Sequence, residues 1–154
     1  MTVDAGQPAP DFSLPTHDGG QLSLADLKGK QVILFFYPRA DTPGCTKEAC
    51  GFNDALPDFS GVDAEIVGIS KDPVAKQAKF AEKYGLTYPL LSDAEGDVTE
   101  RYGSWVEKSM YGKKFMGIDR STFLIGPDGM LKSVWRKVKV PGHVDAVLAA
   151  AKQA

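Results

Sequence analysis

The run QVILFFYP, residues 31–38, constrains the fold more than any other stretch of the chain. Its apolar residues, all but Leu34 β-branched or aromatic, show no polar alternation and end at Pro38. That pattern predicts a central strand buried on both faces. The segments after it supply companions. EIVGIS (residues 65–70) predicts a second strand and TYPLLSD (residues 87–93) a third. Between them, Asp72-Pro73 opens a predicted helix carrying Val74, Ala78, Ala81 and Tyr84 along one side and stopping at Gly85.

A further helix is predicted from about Ala94 to Tyr102, ended by Gly103. STFLIGPDGMLKSVW then reads as a hairpin around Pro127-Asp128-Gly129, and a final helix places Val144, Val147, Leu148 and Ala151 at helical spacing. Residues 1–30, rich in Gly, Pro and Asp, predict turns with short strands near Phe12–Leu14 and Gln21–Ser23. The order implies a thioredoxin-like α/β fold of three layers, a mixed central sheet flanked by helices, in one domain over residues 1–154. In such sheets function gathers beyond the carboxyl ends of the parallel strands.

Bulk properties narrow the function. A chain of 154 residues, 43% hydrophobic and 25% charged, can hold a core without a metal or disulfide. A net charge of −2 with no basic block argues against nucleic acid, and no run is long enough to span a membrane. The first residues, MTVDAGQPAPDF, lack a cationic start and an apolar core, so no export signal and a reducing, cytoplasmic setting are expected. There a cysteine pair is more often catalytic or metal-binding than structural.

Both cysteines lie in TPGCTKEAC, residues 42–50. A structural zinc needs four ligands, and only His17 and His143 could join Cys45 and Cys50; both histidines read as solvated. A static disulfide is also awkward. On one helix, residues five apart have Cα atoms about 8.6 Å apart, whereas a disulfide needs less than about 7 Å. The redox reading has positive support. Thr42 can be a helix N-cap and Pro43 its first residue, which puts Cys45 in the first turn. Unpaired amides and the positive dipole end there favour thiolate. Gly44 has no side chain to block a substrate. Without that activation, Cys45 is a small buried hydrophobe.

YPRADTPGCTKEAC closely resembles the active-site segment of the peroxiredoxins, and the four residues between the cysteines resemble the Q-type, or bacterioferritin-comigratory-protein, subfamily. The likeness continues through WVEKSMYGKKFMGIDRSTFLIGPDG and covers almost the whole chain in element order. The specific pattern is Pro38, Thr42 and Cys45. One departure is Asn53, where the subfamily commonly carries arginine.

The resemblance implies roles that the residues alone leave open. Cys45 would be the peroxidatic nucleophile and Cys50 the resolving cysteine; otherwise Cys50 is a helix residue with no redox part. Thr42 would bind the peroxide or the sulfur, against a plain helix cap. Pro38 would shield the thiolate, against a strand terminator. Arg120, in GIDRSTFLI, would hold the thiolate and polarise the peroxide, against an ordinary surface charge. Trp105, Trp135, Phe35, Phe36 and Phe52 read as packing residues. EKSMYGKK reads as a solvated loop that could border the site.

The implied function is a thiol peroxidase that reduces hydrogen peroxide and organic hydroperoxides with electrons from a thioredoxin-like dithiol protein. It implies a monomer with no metal, haem or flavin and no nucleic-acid or membrane partner. Two rivals remain on sequence grounds. One is an oxidant-sensing binding protein or chaperone. The other is a disulfide oxidoreductase of the same fold, disfavoured because C-x-x-C is absent.

Overall fold

The computed structural model describes residues 3–153; residues 1, 2 and 154 of the expected 1–154 domain lie outside the described residues. The chain runs β1 (Ser13–Pro15), β2 (Gln21–Ser23), a 3₁₀ turn (Leu24–Leu27), β3 (Gln31–Phe36), α1 (Pro43–Asp54), α2 (Leu56–Ser60), β4 (Ala64–Ser70) and α3 (Val74–Tyr84). It continues through β5 (Leu90–Ser92), α4 (Val98–Arg101), β6 (Trp105–Met110), β7 (Lys113–Ile118), β8 (Ser121–Ile125), β9 (Leu131–Trp135) and α5 (His143–Gln153).

The central sheet has the order β5-β4-β3-β8-β9. β3, β4 and β5 run parallel, and β8 and β9 are antiparallel additions. Every residue of β3 is buried, which explains its unbroken apolar run. Ile33, Phe35 and Tyr37 face a layer made by α1, α2, α3 and α5. Val32, Leu34 and Phe36 face a thinner layer built from the N-terminal segment, α4 and the base of β7.

Gly68 of β4 sits in a tight part of the core on the Phe35 face of the sheet. It pairs with Phe35 on one side and Leu90 on the other. A Cβ there would lie 2.9 Å from Leu90 Cδ2 and 2.9 Å from Phe35 Cζ. Phe35 in turn stacks on Phe52 of α1 with ring centroids 4.8 Å apart. Gly68→Ala therefore pushes the ring that supports α1, and should cost about 1–3 kcal/mol of stability, as overpacked cores do. Urea denaturation measures it; an unchanged midpoint would disprove the tight fit.

Three expectations need correction. Residues 94–97 are not helical, and α4 is the single turn Val98–Arg101. The buried Asp93 carboxylate, rather than a longer helix, satisfies its amides, accepting from Val98 N at 3.3 Å and Thr99 N at 2.8 Å, and it also accepts from the Thr99 hydroxyl at 2.7 Å. EKSMYGKK is not a loop but most of the hairpin β6–β7. Tyr111 and Gly112 form its two-residue turn, both with positive φ (53° and 78°), as such hairpins require. His143 is not solvated: it is buried and shares a 2.8 Å hydrogen bond with Thr122 Oγ1.

Candidate active site

Beyond the carboxyl end of β3 the chain turns through Pro38–Thr42 before α1 begins. Asp72 fixes this turn by accepting from Ala40 N at 2.7 Å and Ser70 Oγ at 2.8 Å. Asp41 takes a left-handed φ of 61°. Its carboxylate accepts from Tyr84 Oη at 2.6 Å and Lys83 Nζ at 3.0 Å, which tie the strained residue to α3.

Thr42 opens α1 in extended conformation (φ −95°, ψ 155°), and its carbonyl accepts from Thr46 N at 2.8 Å. Its hydroxyl, however, does not cap the helix. It donates to Arg39 O at 2.8 Å, so no side chain covers the first-turn amides. Pro43 begins the helix as expected, and Cys45 follows in the first turn with only 1% of its surface exposed.

Arg120 lies between β7 and β8, and because Ser121 of β8 pairs with Phe36 of β3 it stands at the same end of the sheet as Cys45. Its backbone carbonyl accepts from Val138 N at 3.0 Å. Its Nη2 donates to Cys45 Sγ at 3.3 Å, and its Nη1 donates to Glu48 Oε1 at 2.8 Å. Gly44 makes the approach possible, since a Cβ there would stand 3.1 Å from Arg120 Nη2. Gly44 thus makes room for the guanidinium, where the sequence suggested room for a substrate.

Glu48 was not singled out from the sequence. It is fully buried one turn after Cys45. Burial lifts its carboxyl to about 7, although Arg120 acts in the other direction. A signal existed: Cys45, Glu48, Ala49 and Phe52 form one i, i+3, i+4, i+7 stripe, so an acid was written into the buried face of the helix.

Pro38 and Thr42, both half-buried, line an open depression of about 440 Å³ whose far wall is the hairpin, with Trp105, Phe115 and Met116. Of EKSMYGKK itself, Lys108 lines this depression, as a residue of the strand pair. Cys50 lies on the same unbroken helix as Cys45, half-buried, and both thiols are free. Burial and then the Asp54 carboxylate push the Cys50 thiol up. The structure thus brings Arg120 to the Cys45 sulfur, sets Pro38 and Thr42 together in the wall of the depression, and leaves Cys50 further along the helix as a free thiol. Asn53 faces elsewhere: its side chain donates to Gly85 O at 3.1 Å and accepts from Thr87 N at 3.0 Å.

Comparison with known proteins agrees with this architecture. The AhpC/TSA family model matches residues 5–134. A protein of Coxiella burnetii named putative peroxiredoxin bcp is 53% identical over 148 residues, covering 96% of this chain and 98% of its own. Peroxiredoxin Bcp of Bacillus subtilis is 47% identical over 148 residues, covering 96% and 94%. Peroxiredoxin Q of Xanthomonas campestris superposes with a TM-score of 0.91 at 42% identity, covering 98% of each chain. These likenesses define a thioredoxin-fold thiol peroxidase. The chain belongs to the AhpC/TSA family, and within it to the Q-type (Bcp) peroxiredoxins.

Proposed function

We propose that this single-domain protein reduces hydrogen peroxide and organic hydroperoxides through Cys45, with Cys50 as the resolving thiol and a thioredoxin-like dithiol protein as electron donor. The Cys45 thiolate attacks one peroxide oxygen; an S–O bond forms as the O–O bond breaks. The departing oxygen leaves with the bonding electron pair, takes up a proton and becomes water or alcohol. Cys45 is left as a sulfenic acid. The Cys50 thiolate then attacks that sulfur, forming an S–S bond and releasing water once the leaving hydroxide is protonated. Two electrons from the dithiol donor restore both thiols.

The observation that carries this reading is the guanidinium of Arg120 held 3.3 Å from a buried cysteine sulfur at the start of a helix. It supplies fixed positive charge to the sulfur anion and to the charge that develops on the departing oxygen. Thr42 has already committed its hydrogen to Arg39 O, which leaves its oxygen to accept from the peroxide O–H. Pro38 screens the sulfur from water. The apolar side chains of Trp105, Phe115 and Met116 suit the alkyl part of an organic hydroperoxide. The bacterioferritin comigratory protein of Xanthomonas campestris is described as having alkyl peroxide reduction activity, which supports the same substrate class here. We also take the protein to be a cytoplasmic monomer that needs no metal, haem or flavin. Among the described residues no helix is long and apolar enough to cross a membrane.

Arg120→Lys tests the site. An ammonium retains the charge but cannot donate to sulfur and Glu48 at once from a planar fork. The second-order rate of Cys45 oxidation should fall about 100-fold, the scale of losing one preorganised donor. Stopped-flow tryptophan fluorescence with hydrogen peroxide reads it, and a wild-type rate would make Arg120 a bystander.

A further inference from the structure

The reaction above leaves Glu48 without a part. It is fully buried, and its Oε1 accepts from Arg120 while its Oε2 has no hydrogen-bond partner. Among the described residues, Arg120 is the one cation in ion-pair contact with it. The same guanidinium serves Cys45 Sγ. Two acids one helical turn apart therefore draw on a single positive charge.

We propose that Glu48 is a positioning residue whose own protonation decides how much of the Arg120 charge acts on the Cys45 sulfur and on peroxide attacked there. This inference rests on the peroxidase reading given above. A buried carboxylate with an unpaired oxygen is costly, so the site favours the protonated acid. In that form Arg120 directs its charge to sulfur and to the departing oxygen. Once Glu48 ionises, the guanidinium is shared and a second negative charge opposes the one developing on the departing oxygen. Reactivity per thiolate should therefore fall as pH rises through the neutral range, where burial has placed the Glu48 carboxyl, at about 7.

The surrounding groups leave this assignment clear. Tyr88, which donates to Ala49 O, and Tyr37, beyond β3, are both held well above the usual phenol range by burial and stay neutral. His143 of α5 is lowered to about 4 by burial and by Arg120, and is also neutral. None of the three changes charge between about pH 6 and about pH 8.5, so Glu48 is the non-thiol group here that does.

The test follows Cys45 oxidation by hydrogen peroxide from about pH 6 to about pH 8.5 in the wild-type protein, Glu48→Gln and Glu48→Asp. Thiolate absorbance is recorded alongside, so that rates refer to thiolate. Glutamine keeps an acceptor for Arg120 Nη1 but cannot ionise. The wild-type constant should fall about fivefold across this range, whereas Glu48→Gln should show no such fall and Glu48→Asp should regain it. A merely structural Glu48 would slow the glutamine variant equally at every pH, and that constant ratio overturns the inference. Infrared difference spectra of the wild-type protein give a second reading that needs no variant. A protonated-carboxyl band should be lost between the two pH limits, and its absence at the lower limit also overturns the inference. A wild-type protein that does not react with peroxide at all would overturn the peroxidase reading first, and this inference with it.

Discussion

Cys45→Ser is expected to reduce peroxide turnover by more than about 1,000-fold, to the background of the assay. The chemistry needs an anion that can attack an O–O bond, and a serine hydroxyl is not ionised near neutrality and is a far weaker nucleophile. No neighbour can rescue it. Glu48 is already engaged by Arg120, His143 is bonded to Thr122, and Cys50 lies further along the helix. The fold should survive, because oxygen replaces sulfur in a pocket where Arg120 can still donate. Peroxide consumption with a thioredoxin-like donor and reductase measures the loss. Circular dichroism checks that the variant is folded. Turnover close to wild type would remove Cys45 from the mechanism and return the protein to the oxidant-sensing or dithiol-exchange readings.

The chain displays its frame openly and its site only in part. QVILFFYP announces β3 because burial on both faces leaves the strand apolar from Val32 to Phe36 after the buried Gln31. Thr42-Pro43 announces the start of α1, and with it the position of Cys45, because helix starts have local chemistry. Arg120 carries no such sign. It lies 75 residues from Cys45, and only folding brings its Nη2 to the sulfur, so the resemblance of GIDRSTFLI to a family segment had to supply it. Glu48 is legible only as part of a helical stripe, on a face where an acid seldom sits. The hairpin β6–β7 hid behind its charges: lysines occupy exposed strand positions, and Tyr111-Gly112 is a weaker turn signal than Asn-Gly. His143 looked solvated because nothing local shows that Thr122, 21 residues away, provides its partner.

The largest structural effect should follow oxidation. Cys45 and Cys50 sit on one continuous helix, where residues five apart have Cα atoms about 8.6 Å apart. A disulfide requires less than about 7 Å, so α1 must open before the two sulfurs can join. From sequence, Gly51, Asn53 and Asp54 are weak helix formers that ease this opening. The structure gives two of them holding roles instead. Gly51 admits Val144 of α5, since a Cβ there would stand 3.1 Å from Val144 Cγ2. Asn53 bonds the segment around Gly85 and Thr87. Phe52 is wedged against Phe35, and Tyr88 Oη donates to Ala49 O at 2.8 Å. Opening must break these contacts, and while the helix stays closed a second peroxide can carry Cys45 to the sulfinic acid. At one equivalent of peroxide, resolution should still win. The expected product is a monomer two hydrogens lighter, with both thiols lost and amide exchange raised across residues 43–56. Cys50→Ser should consume one equivalent of peroxide, form no intramolecular disulfide and lose thioredoxin-dependent recycling. Thiol titration, non-reducing intact mass and hydrogen exchange read these outcomes together. A disulfide-linked dimer, which needs no unwinding of α1, would sink the opening model, and so would an intramolecular disulfide formed with residues 43–56 still protected.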